Sequence, residues 1–191
     1  MRQVNKKGLD LIKKMEGVVS FVYLCQAGHP TIGCGHKCLD GESYLKGYSV
    51  SDIKDKINNN PIMISNDSRD LYKVKSSAEI ADITFITNKE IDKLLKKDIS
   101  WACRAVEEFI TVHLNDNQFS ALVSFTFNLG RKALQGSTLR RKLNQGKYGE
   151  VPDELNKYVY ARVNGEMERL DVLVKRRKAE GQLFLQNPTF V

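Results

Sequence analysis

The stretch Glu16-Gly17-Val18-Val19-Ser20-Phe21-Val22-Tyr23-Leu24-Cys25-Gln26-Ala27-Gly28-His29-Pro30-Thr31-Ile32-Gly33-Cys34-Gly35-His36 places one acid, one polar thiol and one hydroxyl within a short span. Cys25 follows Glu16 by nine residues and Thr31 follows Cys25 by six. Upstream, from about Asn5 to Glu16, the apolar residues Leu9, Leu11, Ile12 and Met15 fall mostly on one helical face. Asn5 suits a helix start and Gly17 a helix stop. Glu16 then occupies the last turn, where the helix dipole disfavours a carboxylate. An acid in a place that costs stability hints at a use other than stability, although a solvated surface Glu is the ordinary case. Downstream, Val22 and Leu24 alternate with Tyr23 and Cys25. Ala27-Gly28-His29-Pro30 breaks that run and Thr31-Ile32 restarts it, which predicts a β-hairpin in a small antiparallel sheet.

A helix end followed by a hairpin can set a proton donor opposite two water-holding groups. Glycoside hydrolysis asks for that arrangement: an acid protonates the leaving oxygen while water attacks the anomeric carbon. A Glu serves when partial burial raises its pKa, and Val18, Val19 and Phe21 are apolar neighbours that would bury Glu16. In an inverting enzyme the second group stands about 6.5–9.5 Å away and is usually a carboxylate. Here Cys25 takes that place, with Thr31 beside it. A neutral thiol, with a reference pKa of about 8.5, is a weak base. On chemistry alone Cys25 is therefore the softest element, since a lone Cys in an apolar strand is more often a small core residue.

Outward from this stretch, residues from about Lys37 to Ile86 are the least legible. Ser51 to Ile57 reads as a short capped helix stopped by Asn58-Asn59-Asn60-Pro61. Ile62 to Ile86 mixes β-prone and polar residues without clear period. Regularity returns at the capping box Thr87-Asn88-Lys89-Glu90. Ile91, Leu94, Leu95, Ile99 and Ala102 then mark one long amphipathic helix reaching toward Phe109. A second box, Asn115 to Gln118, opens a helix that Gly130 ends. Helices are further expected over Ser137 to Leu143, roughly Pro152 to Tyr160, and Leu170 to Leu185. The pattern predicts an α+β, mostly helical fold: a small α/β lobe over 17–86, and a helical lobe from 1–16 and 87–191, within one domain of 191 residues.

Hydrophobic residues make up 41% and charged residues 28% of the chain, enough apolar content for a packed core. The net charge of +7 favours anionic partners such as nucleic acid, an acidic membrane surface or an acidic wall polymer. No zinc-finger, helix-turn-helix or aromatic RNA-binding signature is present, which argues against nucleic acid. Lys13 and Lys14 interrupt the one candidate apolar run near the start, so neither a signal peptide nor a membrane span is expected. The expected location is the cytoplasm. The four cysteines, Cys25, Cys34, Cys38 and Cys103, read by default as free thiols, although three pairings are possible.

Several separate segments together resemble the phage-type lysozymes, the endolysins. Glu16, Cys25 and Thr31 are similar to that family's active-site signature, whose second position is Asp or Cys. Thr31-Ile32-Gly33-Cys34-Gly35-His36 resembles its Thr-Ile-Gly-Tyr-Gly-His segment. Ile86 to Glu90, Leu94 to Asp98, Asn117 to Gly130, Ser137 to Asn144 and Arg176 to Glu180 follow in the family's order. The resemblance implies a lysozyme-like two-lobed fold joined by a long helix. It implies hydrolysis of the β-1,4 bond between N-acetylmuramic acid and N-acetylglucosamine in peptidoglycan, without a metal or cofactor. Glu16 is implied as general acid, and Cys25 with Thr31 as the pair that positions water. Arg176 is similar to the family's arginine that pairs with the catalytic Glu, and Asn128 and Ser137 fall where the family contacts glycan. A bacteriolytic monomer that acts on the cell wall in the periplasm, with a holin to let it out of the cytoplasm, is the implied biology.

The chain departs from that family in three places. Cys34 stands where Tyr or an aliphatic residue is usual and is expected to be buried, Val172 stands where Gly is usual, and residues 37–85 form an unmatched insertion. That insertion and Cys25 keep open a non-catalytic module that binds peptidoglycan or a protein on the same fold. A virion-attached or delivered lysozyme shares the chemistry. Alternation would also place Cys34, His36 and Cys38 on one strand face, and with Cys25 they would make a zinc set of unusual spacing. A disulfide from Cys25 to Cys34 or Cys38 would instead mask the thiol.

Overall fold

In the computed structural model, which describes residues 1–65 and 73–187, the elements run in this order. Helix α1 (Lys6–Glu16) leads into strands β1 (Val19–Leu24), β2 (Pro30–Gly33) and β3 (His36–Lys37). Then come α2 (Val50–Asn59), β4 (Ile62–Ser65), β5 (Lys73–Ser76), α3 (Ala78–Ile83) and α4 (Asn88–Asp98). The rest is helical apart from one ribbon: α5 (Ser100–Phe109), α6 (Asp116–Leu129), α7 (Arg131–Gly136), α8 (Thr138–Asn144), α9 (Val151–Leu155), β6 (Tyr160–Val163), β7 (Glu166–Arg169) and α10 (Asp171–Leu185). Two compact units result. One holds Met1–Met15 and the described residues from Ile99 on; the other is Glu16–Asp98. The second unit therefore includes α4, which the sequence pattern groups with the helical lobe. Among the described residues no helix is long and apolar enough to cross a membrane.

Local signals explain most of the boundaries. The Asn5 side chain accepts the Gly8 N–H at 2.9 Å and caps α1. Gly17, at φ 78°, turns the chain away after Glu16. Both expected capping boxes are formed: Thr87 with Glu90 at the start of α4, and Asn115 with Gln118 at the start of α6. A third box was not foreseen. Ser49 and Asp52 cap α2 reciprocally, so that helix begins at Val50.

In the Glu16–Asp98 unit the sheet has five strands in the order β3-β2-β1-β5-β4. Strand β1 lies at its centre, antiparallel to β2 on one side and β5 on the other. Few ladder bonds join β1 to β5, and side chains complete the edge. The Ser76 hydroxyl donates to the Val22 carbonyl at 2.7 Å, the Val22 N–H donates to the Thr84 hydroxyl at 2.9 Å, and the Ile86 N–H donates to the Ser20 carbonyl at 2.7 Å. The stretch expected as an insertion thus carries much of this unit's interior: Leu45, Ile53, Ile57 and Ile80 pack with Val22 and Ile32. Its residues 66–72 lie outside the described residues.

In the other unit, α6 is buried on nearly every side, including Ser120, Ser124 and Thr126. A helix surrounded by neighbours needs partners for such hydroxyls. Ser120 accepts the Asn5 N–H at 3.1 Å, Thr126 donates to the Leu122 carbonyl at 2.7 Å, and Ser124 donates to Glu180 at 2.7 Å.

Two expectations need correction. The single long helix is two helices, α4 and α5, with Ile99 between them at φ −82°, ψ −2°. That ψ lies well off the helical value, so the helix is interrupted at Ile99 although the apolar spacing runs on. The helix expected to Tyr160 ends at Leu155, and Tyr160 opens the β6–β7 ribbon. Asn164 (φ 49°) and Gly165 (φ 92°) form its turn, an Asn-Gly hairpin signal that the sequence contains.

His36 ties this unit together. Its Nδ1 lies 2.8 Å from Asp98 and its Nε2 lies 3.1 Å from Glu42, which also takes the Leu39 N–H and the Tyr44 hydroxyl. The hydrogen bond to Asp98 outweighs desolvation and, with Glu42, raises the His36 pKa above its ordinary value. A raised pKa means that the protonated imidazole's contribution is whole below about pH 6.5 and fades as pH climbs through the folded-state pKa. The melting temperature should therefore fall over that window on this account. Asp98→Asn should flatten the fall and cost about 1–3 kcal/mol at pH 6, read by thermal melts at a series of pH values.

Candidate active site

The turn from β1 to β2 builds the site out of backbone. The Cys25 N–H donates to the His29 carbonyl at 3.0 Å, and the Gly28 N–H donates to the Cys25 carbonyl at 2.8 Å. Gly28 takes φ 72°, a conformation open to glycine at little cost, and so allows the reversal. Cys25 ends up half-buried at the mouth of this turn. Burial pushes its pKa up. Hydrogen bonds from the His29 backbone, the Thr31 side chain and the Ala27 backbone, with the charge of Lys37, outweigh burial and hold the thiol below its ordinary value. The turn therefore eases ionisation of this thiol.

Thr31 is buried and stands opposite Tyr23 in the β1–β2 register. Its Oγ1 donates to the His29 carbonyl at 2.9 Å. A hydroxyl has one proton and two acceptor sites. While that proton is on His29, Thr31 can accept from the thiol; once the sulfur is ionised, the proton can rotate to it. Cys25 and Thr31 are therefore hydrogen-bond neighbours across this turn.

Glu16 is the last residue of α1, and its side chain is exposed. The expectation of apolar burial by Val18, Val19 and Phe21 is not met. Val19 turns into the core, while Val18 and Phe21 are only half-buried beyond the Gly17 bend.

The other expected residues, Asn128, Ser137 and Arg176, belong to the helical unit. Arg176 is buried on α10, with its Nε 3.2 Å from Glu180 and an Nη2–H donated to the Ser124 carbonyl at 3.2 Å. Ser137 is buried, accepts the Arg140 N–H at 2.9 Å and donates to the Leu134 carbonyl at 2.8 Å. Its hydroxyl caps α8, and its one proton is already committed to a backbone oxygen. Asn128, half-buried near the end of α6, accepts a hydrogen bond from Arg177 Nη2 at 2.8 Å through Oδ1. Arginine only donates, so this contact fixes the amide with its NH₂ turned away from Arg177.

Arg177 is a residue that sequence reasoning missed. It is fully buried, sits over the Phe125 ring at 5.1 Å, and lies 3.1 Å from Glu180. Desolvation lowers its pKa and raises that of Glu180, each against the pull of the opposite charge. The doublet Arg176-Arg177 signalled basicity in the sequence, but nothing there told a buried arginine from a solvated one.

The alternative metal and disulfide readings find no geometry. Both His36 nitrogens face carboxylates, and among the described residues no cluster of His, Cys, Asp or Glu is placed to hold a metal. All four cysteines are free thiols. Cys34 is half-buried rather than buried, because it sits in the turn between β2 and β3. Cys38 is buried and its pKa is pushed up to about 12 by desolvation, the opposite of Cys25.

Comparison with known proteins agrees with this layout. The phage lysozyme family matches residues 13–180. The endolysin of Acyrthosiphon pisum secondary endosymbiont phage 1 is 32% identical over 95% of this chain and 97% of its own length. The endolysin of Salmonella phage P22 is 30% identical over 97% and 99%. A crystal structure of a P22 lysozyme mutant superposes with a TM-score of 0.69 at 29% identity, covering 97% of this chain and all of that one. With a match of that length and relatives aligned nearly end to end, the chain belongs to the phage lysozyme family and is a peptidoglycan-hydrolysing endolysin.

Proposed function

We propose that the chain cleaves the β-1,4 bond between N-acetylmuramic acid and N-acetylglucosamine with inversion. Glu16 gives its proton to the leaving glycosidic oxygen. Cys25, as thiolate, and Thr31 hold the attacking water, and the sulfur takes up the proton that water sheds. The observation that carries this reading is the setting of Cys25 in the β1–β2 turn, with Thr31 and Lys37 beside it, which holds the thiol's pKa below its ordinary value. It lets a thiol stand in for the carboxylate that an inverting site usually places there. The exposure of Glu16 fits an acid that meets a polymer from solvent. In the helical unit, Asn128 offers its fixed NH₂ to an oxygen of the glycan, and Arg176, buried and paired with Glu180, supports the glycan-facing side from behind. Ser137 contributes by holding the start of α8.

The relatives named endolysins support a lytic role on the host wall, and we extend that role as follows. The protein works as a monomer on peptidoglycan strands and lyses the host wall from within. A holin opens its way out of the cytoplasm.

Glu16→Gln should lower the rate of turbidity loss in permeabilised Gram-negative cells by about 10²–10⁴-fold while the protein still sediments with purified wall. Lysis by wild type should rise as pH climbs through the Cys25 pKa. Cys25→Asp replaces the thiol by a carboxyl of reference pKa about 3.9, so the rising limb should move to lower pH; an unmoved pH profile would exclude the thiolate role. Asn128→Asp keeps the Arg177 contact and loses the donor. Its melting temperature should not drop, and kcat/KM should fall about tenfold, as expected for a lost hydrogen bond of roughly 1.4 kcal/mol.

A further inference from the structure

The β6–β7 ribbon is a two-stranded sheet of its own within the helical unit. Its register sets Tyr160 opposite Arg169, Ala161 opposite Glu168, Arg162 opposite Met167 and Val163 opposite Glu166. Residues directly opposite share a face, and successive residues change it. Tyr160, Arg162, Met167 and Arg169 therefore lie on one face, with Ala161, Val163, Glu166 and Glu168 on the other. Every residue of the first face is exposed, Tyr160 by 54% and Met167 by 61%. Ala161 and Val163 are half-buried, so it is the second face that the protein partly covers. The ribbon has thus separated its charges by sign, and its two arginines share the open face with an aromatic ring and a thioether. A ribbon tuned for its own stability would set Arg against Glu across the strands. Here each Arg faces Tyr or Met, and each Glu faces Ala or Val. Arg169 meets Asp171 at 3.7 Å, an exposed pair that restrains it little. The surrounding unit has the same sign: residues 1–15 and 99–191 hold 19 of the chain's 30 basic and 11 of its 23 acidic residues, whereas residues 16–98 hold 11 and 12. None of the ribbon's side chains has a part in the bond cleavage described above.

We propose that the open face of this ribbon docks on an anionic phospholipid surface. Guanidinium groups bind phosphate oxygens with charge-assisted hydrogen bonds. Tyrosine settles at the boundary between headgroups and acyl chains, where its ring is dry and its hydroxyl wet. Met167, beside it on the same face, buries its side chain at that boundary, and the arginine stems reach back to the phosphates. A sugar polymer is a poorer match. Its hydroxyls need acceptors as well as donors, and the one side-chain oxygen on this face is the Tyr160 hydroxyl. Both carboxylates point from the opposite face, away from the negative lipid. The contact is peripheral and concentrates the protein along the membrane surface that lies beneath the wall.

The test is cosedimentation of the full chain with vesicles of phosphatidylglycerol and phosphatidylethanolamine. Phosphatidylcholine vesicles and purified peptidoglycan sacculi are the other two arms. Wild type should bind the anionic vesicles about tenfold or more tightly than the phosphatidylcholine vesicles, and Arg162→Gln with Arg169→Gln should remove about that factor, the scale of two basic side chains at a charged surface. Lys132→Gln with Lys175→Gln takes the same charge from exposed helical positions off the ribbon. That pair should cost less than about threefold at physiological salt, where charges away from the contact are screened. Tyr160→Ser with Met167→Ser should also weaken binding to the anionic vesicles, at unchanged net charge. Melting temperatures of all three double variants should match wild type, since each changes exposed side chains. The proposal is overturned by an absence of preference for the anionic vesicles, or by equal losses from the arginine and lysine pairs. A loss on sacculi as large as that on vesicles would assign the face to the wall polymer and overturn it too. Because the vesicles hold no glycan, the outcome is independent of the cleavage reading.

Discussion

Strand β1 needs hydrogen-bond partners along both edges, and that need organises the Glu16–Asp98 unit. A buried strand with orphaned N–H and C=O groups would cost about 1–3 kcal/mol per group. On one edge β2 supplies the ladder, and the turn between them supplies the donors that surround Cys25. On the other edge β5 pairs briefly, and Ser76, Thr84 and Ile86 complete the account with two side chains and one amide. The turn that carries Cys25 and the segment that ends in β5 are therefore the two flanks of one strand.

The helical unit solves a different problem, the burial of charge. Glu180 lies fully inside with Arg176 and Arg177, and Ser124 donates to it. Such clusters contribute little net stability, because desolvation offsets attraction, but breaking one is expensive. What the cluster does provide is direction. Arg177 holds one end of the Asn128 amide, and the donor end faces outward.

Much of this was legible in the chain itself. The capping boxes at Thr87 and Asn115, the stop at Gly17 and the hairpin around Gly28 are short-range signals, each read from neighbours within four residues. The triplet Glu16, Cys25 and Thr31 was legible for the same reason, since one helix end and one turn carry all three. The failures were of two kinds. The Asn164-Gly165 turn was present and overlooked, because polar residues around it lack the apolar alternation that marks a core strand. The break at Ile99 was not visible at all, since the apolar spacing passes through it without interruption.

Sequence alone determined the local chemistry: which residues cap, which turn, and that one helix end and one hairpin carry Glu16, Cys25 and Thr31. Tertiary structure decided what those groups are able to do. Cys25 and Cys38 are the same residue type, yet a cradle of amides and a nearby lysine lower one pKa while an apolar core raises the other. Ser137 and Asn128 are both polar residues in a matching segment, yet one has its proton taken by a backbone oxygen and the other has its donor left open. The reason is that ionisation and hydrogen-bond direction depend on every atom within a few ångströms, and most of those atoms come from residues far away along the chain.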